Sequence, residues 1–306
     1  MISWRKLLGG EEAEGSPRVG FLIAGVQKGG TFSLYRLLER HPEISLSKAK
    51  EVHFFDNEEI DWSSPSYGQY HRNFPRWREG QVRGEATPIY IYWPEALERI
   101  HAYNPDIKLI LLLRDPIERT YSAWCHQRRK GRETLSFSAA IREGRARIGD
   151  PKGFGNRHFS YVERGLYAAQ LRRALDLFSS SNILALDSRK LSSDPGSLLA
   201  KAASFLGVGA PNGDIDAVHA NKRAAPDAPD RVEEDDVRLL AEIFAQDVAE
   251  LGSRLDFSIE QWPVSRLLKG EVAAKDVASR LVKPGFAGED QTQGVAERAI
   301  GPVRHA

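Results

Sequence analysis

The stretch "RVGFLIAGVQKGGTFSLYRLLERHP", residues 18–42, decides how this chain folds. Its opening is an apolar run with no polar alternation and a glycine exit, the pattern of a strand buried on both faces. Thr31 then opens a helix whose Leu34, Leu37 and Leu38 share one face, and His41-Pro42 ends it. Between strand and helix lies Lys28-Gly29-Gly30-Thr31. Backbone N–H groups at the start of a helix have no intrahelical partner, and the helix dipole adds positive potential, so the loop Lys28 to Phe32 is built to face an anion. Gly29 and Gly30 let a phosphate approach the backbone, and the Lys28 ammonium reaches it as a point charge. Thr31 and Ser33 supply hydroxyls. In the common nucleotide loop the lysine follows the glycines, whereas here it precedes them. A plain tight turn is the competing reading of the Gly-Gly pair.

The same strand-then-helix grammar recurs. "IKLILLL" (107–113) reads as a second buried strand, followed by Arg114 and by Asp115-Pro116, a cap residue and a first-turn proline for a helix to about Arg129. "GLYAAQLRRALDLF" (165–178) predicts a helix and "NILALD" (182–187) a strand, after which Asp194-Pro195 starts a helix that Gly207 stops. Val237, Leu240, Phe244, Val248 and Leu251 mark one face of a long amphipathic helix. Alternation of this kind predicts an α/β fold, a mostly parallel sheet flanked by helices. Ligands of such sheets bind beyond the carboxyl ends of the strands, where Lys28 and Arg114 both fall. We divide the chain into a leader (1–17), a main domain (18–264) and an appendage of unknown order (265–306) with one short helix around 271–282.

Net charge is +1 over 306 residues. No whole-molecule field therefore favours nucleic acid or a membrane surface, and anion preference has to be local. A single cysteine, Cys125, excludes an internal disulfide framework and a cysteine-built metal site. It sits in an apolar helical stretch and reads as packing. No apolar run approaches the ~20 residues of a membrane span, and the first residues lack a signal-peptide pattern. The expected location is the cytoplasm.

"VQKGGT", "HPEISLSKAKEVHFFD", "LLLRDPIERTYSAW" and "VERGLYAAQL", in that order, resemble the sulfotransferases that use 3′-phosphoadenosine 5′-phosphosulfate (PAPS). The resemblance runs over about residues 18–262 and is nearest to the heparan sulfate N- and 3-O-sulfotransferase branch and its bacterial relatives. It implies a P-loop-like sulfotransferase fold and no metal. It gives the 5′-phosphosulfate to Lys28, Gly29, Gly30, Thr31 and Phe32, with Ser33 beside them, and the 3′-phosphate to Arg114 and Ser122. It makes Glu51 the base that takes the acceptor's proton, with His53 and Asp56 near the acceptor and Lys28 offsetting charge on the leaving group. Without it, Glu51 and His53 would be only two residues sharing a face of an extended segment. "VHANKRAAP" resembles, less closely, the family's nucleotide-covering loop through Lys222 and Arg223.

One departure bears on the acceptor. Glycosaminoglycan-directed members carry a lysine where this chain reads Glu85-Ala86-Thr87-Pro88, so heparan-like acceptors are disfavoured. Against that, residues 128–164 hold ten Lys/Arg and four acids. This is either a solvated basic face or a surface for an anionic acceptor: an acidic glycan, a lipid headgroup, or a metabolite on a carrier protein. "DPKGFGNRHFSY" (150–161) reads as a lid over it. The aromatic residues dense between 62 and 93 read as core, with some available to line an acceptor pocket. Two other classes stand beside the sulfotransferase: a P-loop kinase or ATPase, against which Arg114 at a strand exit argues by repelling Mg²⁺, and a non-catalytic anion-binding protein, against which Glu51 argues.

Overall fold

The computed structural model describes residues 18–210 and 231–282. Five strands form one sheet: β1 (Phe21–Gly25), β2 (Ile44–Leu46), β3 (Val82–Ala86), β4 (Lys108–Leu113) and β5 (Ile183–Asp187). They lie in the order β2-β3-β1-β4-β5, and every pairing is parallel. Side chains alternate across a strand, and here both faces are buried. Leu22, Ala24, Leu109 and Leu111 enter the larger core cluster, while Phe21, Ile23, Ile110 and Leu112 enter the smaller one.

Helices cover both faces. α1 (Thr31–Leu38) and α9 (Pro195–Leu206) bury Leu34, Leu37, Leu198 and Leu206 in the smaller cluster. On the other face lie α3 (Ala96–Tyr103), α4 (Pro116–Arg129), α7 (Tyr167–Leu177) and α10 (Glu234–Gly252), and all five residues predicted for the apolar face of α10 are buried. Short helices fill the connections: α2 (Tyr67–His71), α5 (Phe137–Ile141), α6 (Phe154–Phe159) and α8 (Lys190–Ser193). Cys125 is fully buried in the larger core cluster, as a packing residue should be.

α11 (Pro263–Leu268) and α12 (Ala274–Leu281) close the described chain. Ala274, Val277, Ala278 and Leu281 of α12 join the larger core cluster alongside α10. Residues 265–282 of the tail are therefore packed, and α12 stands where the short helix was expected. Among the described residues no helix is long and apolar enough to cross a membrane.

Candidate active site

The loop leaving β1 turns tightly before entering α1. The Gly29 N–H donates to Val26 O at 2.9 Å. A Cβ on Gly29 would lie 2.1 Å from Leu112 O of β4, so glycine alone lets the loop pass its neighbour. Gly30 takes the left-handed conformation (φ 92°) that starts α1, and no side chain caps the helix. Its first-turn N–H groups thus keep the arrangement that attracts an anion. Lys28, Thr31 and Ser33 are buried against the loop, and Phe32 is half-buried.

Arg114 follows β4, the strand beside β1. Its Nε faces Glu118 Oε2 at 3.3 Å, and its NH1 reaches Lys28 O at 3.5 Å, which sets the guanidinium between loop and α4. Arg114 is thus ion-paired with Glu118, four residues on. One turn beyond Glu118, Ser122 is fully buried and its Oγ has no hydrogen-bond partner. A buried hydroxyl left unpaired is costly, and an anion oxygen shared with Arg114 would satisfy it. The residues present fit a phosphate here. Asp115 caps α4 through the Glu118 N–H and also accepts the Val264 N–H at 2.8 Å. Burial and the adjacent Glu118 push its carboxyl up to about 7.

The 50–56 segment hangs from β3, where the Glu51 N–H donates to Ala86 O at 2.9 Å. Four non-glycine residues among those described have left-handed backbone: Lys28 (φ 70°), Glu51 (φ 63°), His53 (φ 53°) and Glu95 (φ 61°). Three of the four are the residues the resemblance makes catalytic. Strained backbone persists only where surroundings over-determine it, and it gathers at functional sites.

Charges alternate along this segment. Lys50 Nζ donates to Glu51 Oε1 at 2.5 Å, His53 Nε2 lies 3.4 Å from Glu51 Oε2, and His53 Nδ1 lies 2.8 Å from Asp56 Oδ2. Arg157 completes the row by donating to Asp56 Oδ2 and, at 2.7 Å, to the Asp56 carbonyl. Burial disfavours the charged His53 ring, but the bonds to Asp56 and Glu51 outweigh it and raise the imidazole to about 10. Burial likewise raises Glu51, yet Lys50 and His53 overcome it and hold the carboxyl well below the usual range. At neutral pH Glu51 is ionised and His53 is charged.

Glu51 and His53 open onto a cleft of about 280 Å³ that Gln27, next to Lys28, also lines, with Lys130, Arg132 and Arg157 among its other walls. His158 faces the same space, where burial and the cations Arg132, Arg164, Arg157 and Lys130 push its imidazole down to about 3.

The basic stretch divides by position. Arg142 pairs with Asp236, Arg145 with Glu163, Arg147 with Glu133 and Lys152 with Glu95, so these four serve the fold. Lys130, Arg132 and Arg157 belong to the cleft. The expected lid contains α6, pinned where Tyr92 Oη donates to Asn156 and where Arg157 holds Asp56, so it forms a wall of the cleft. Most aromatic residues of 62–93 are packing: Tyr70, Phe74, Tyr90 and Trp93 are buried, and Trp62, Tyr67 and Tyr92 pack part-buried against the core. Ala86 is fully buried and brings no group to the cleft, whereas Pro88 and Ile89 line it. Lys222 and Arg223 lie outside the described residues.

Reading the sequence missed Gln27, Lys50, Glu118 and the role of Arg157 at Asp56. Glu118 carried a signal, its i, i+4 spacing from Arg114 on a helix. Arg157 carried none, because 101 residues separate it from its partner.

β1, the central strand of the parallel sheet, thus runs into the glycine loop, and Gln27 at the start of that loop shares a cleft with Glu51. A sulfotransferase domain matches residues 20–224, and the chain belongs to that family. It is 35% identical over 191 residues to human heparan sulfate glucosamine 3-O-sulfotransferase 6, covering 61% of this chain and 52% of that protein. Against mouse heparan sulfate glucosamine 3-O-sulfotransferase 3A1 it is 34% identical over 190 residues, with 61% and 45% covered. The chain spans about half the length of these curated relatives. A crystal structure of a sulfotransferase from Alicyclobacillus acidocaldarius superposes with a TM-score of 0.67 at 29% identity, covering 81% of this chain and 99% of that one.

Proposed function

We propose that the chain transfers a sulfuryl group from PAPS to a hydroxyl or amine of an anionic acceptor. The observation that carries this is the shared cleft, with the phosphate loop on one side through Gln27 and the Glu51–His53–Asp56 row on the other. The donor, when bound, supplies the sulfuryl group. Lys28 and the N–H groups of Gly29, Gly30, Thr31 and Phe32 hold its 5′ end, while Arg114 and Ser122 hold the 3′-phosphate.

Glu51 accepts the acceptor's proton. A carboxylate gripped by Lys50 and His53 is a weak base. An acceptor hydroxyl that takes the place of the Lys50 ammonium at Oε1 restores its basicity at the moment of use. His53, charged and held by Asp56, keeps the second carboxylate oxygen oriented. Lys130, Arg132 and Arg157 bind the acceptor's anionic group: an acidic glycan, a lipid headgroup or a carrier-linked metabolite. A single cysteine, Cys125, suits a reducing compartment, and we place the enzyme in the cytoplasm.

Thermal shift with adenosine 3′,5′-bisphosphate, AMP and ATP·Mg²⁺ tests the donor. Strong stabilisation by the bisphosphate alone is the expected result. Preference for ATP·Mg²⁺ would move the chain to the kinase or ATPase reading, and a bisphosphate-binding chain that transfers nothing from labelled PAPS to a broad acceptor panel would leave only anion binding.

A further inference from the structure

Glu118 poses a difficulty for the 3′-phosphate pocket. Its carboxylate lies beside Arg114, on the face of α4 that carries Ser122 one turn later. An anion approaching Arg114 meets a second anion already in place. Repulsion between them would erode the preference for a doubly phosphorylated nucleotide.

The C-terminal segment changes that balance. α12 packs on α10, and the Val264 N–H at the start of α11 is fixed to Asp115, the residue next to Arg114. From this framework Arg280 reaches Glu118 Oε1 at 3.0 Å, while Glu118 Oε2 faces Arg114. One carboxylate thus sits between two guanidiniums, the second supplied by a helix 166 residues further along (280 − 114).

Building on the proposed donor, we infer that Arg280 is a positioning residue for 3′-phosphate recognition, acting through Glu118. It offsets the charge of Glu118 from the side of the other carboxylate oxygen, so that Arg114 can turn its charge to the phosphate. The pair triad leaves a net positive charge where Arg114 and Glu118 alone would cancel. Arg280 is more than half exposed, so its effect is modest and weakens with salt.

Calorimetric affinities of the full chain for adenosine 3′,5′-bisphosphate and AMP, at low and high salt, test this. Arg280→Ala is expected to weaken the bisphosphate roughly fivefold at low salt while AMP affinity holds, a size in keeping with a part-exposed ion pair. Arg280→Lys should keep most of the preference. In a Glu118→Gln background, Arg280→Ala should change neither affinity, since the charge it answers is gone. Equal losses for both nucleotides would mean that α12 only supports the fold, and an unchanged ratio would mean that Arg280 does not act on the pocket; either result overturns the inference. A wild-type chain that does not prefer the bisphosphate to AMP would instead bring down the donor reading itself.

Discussion

The proposed donor and acceptor sites are built differently. On the donor side, each group comes from a strand exit and the helix that follows it, Lys28 to Ser33 after β1 and Arg114 to Ser122 after β4. On the acceptor side, the working groups come from segments far apart in the chain, with Glu51 tied to β3 and its row of charges ended by Arg157 of α6. The donor side relies on backbone N–H groups and a few cations, the acceptor side on ion pairs between side chains. The first is fixed by local geometry, and the second exists only once the tertiary fold has formed.

Substitutions can break this contrast. Glu51→Gln should reduce transfer by about a hundred- to ten-thousand-fold, the range of general-base catalysis, while calorimetry finds bisphosphate affinity unchanged. Loss of nucleotide binding in that variant would show that the two sides are not separable.

Ser122→Ala gives a smaller effect on the opposite side. Removing a hydroxyl that bonds a phosphate should cost roughly tenfold in bisphosphate affinity. Because the Oγ is buried without a partner, the same change should leave the unliganded protein as stable as before or more stable by about 1 kcal/mol, read from denaturant unfolding. A large loss of stability would mean that the hydroxyl serves the fold.

The smallest effects concern two of the histidines that line the cleft, His53 and His158, followed by NMR of their imidazoles. His53, raised to about 10, should stay charged through neutral pH. The unfolded value is about 6.5, so its contribution to stability is complete below that pH and is lost as pH rises through about 10. His158, lowered to about 3, should stay neutral, and its contribution is lost as pH falls from about 6.5 toward 3. Asp56→Asn should bring His53 down toward 6.5 and leave His158 unmoved.

The same contrast explains what could be read in advance. β1, β4 and β5 announce themselves as apolar runs, and α4 as a cap followed by proline. β2 is only three residues long. β3, "VRGEA", hides an interior strand because Arg83 and Glu85 are buried polar residues. Glu85 accepts from Tyr70, Tyr90 and Thr87, partners that sequence spacing does not predict. Gly84 is required there, since a Cβ would lie 2.2 Å from the Phe21 ring. The glycine turn between β1 and α1 was therefore legible from adjacent residues, whereas the contacts that join Glu51, His53 and Asp56 were not. The pairing of Arg157 with Asp56 and the arrival of α12 at Glu118 are products of the folded state.

The seating of α11 and α12 has a practical consequence for anyone recombining this chain with a relative. The matched family segment ends at residue 224, yet α10 leans on α12, and Asp115 takes a hydrogen bond from Val264. A chain cut after Trp262 would expose the apolar surface of α10 that α12 covers and leave the buried Asp115 carboxylate short of a donor, and a chimera spliced at the end of the matched segment would have to rebuild both contacts. Exchanges meant to transplant catalysis should carry the tail through Leu281 with the rest.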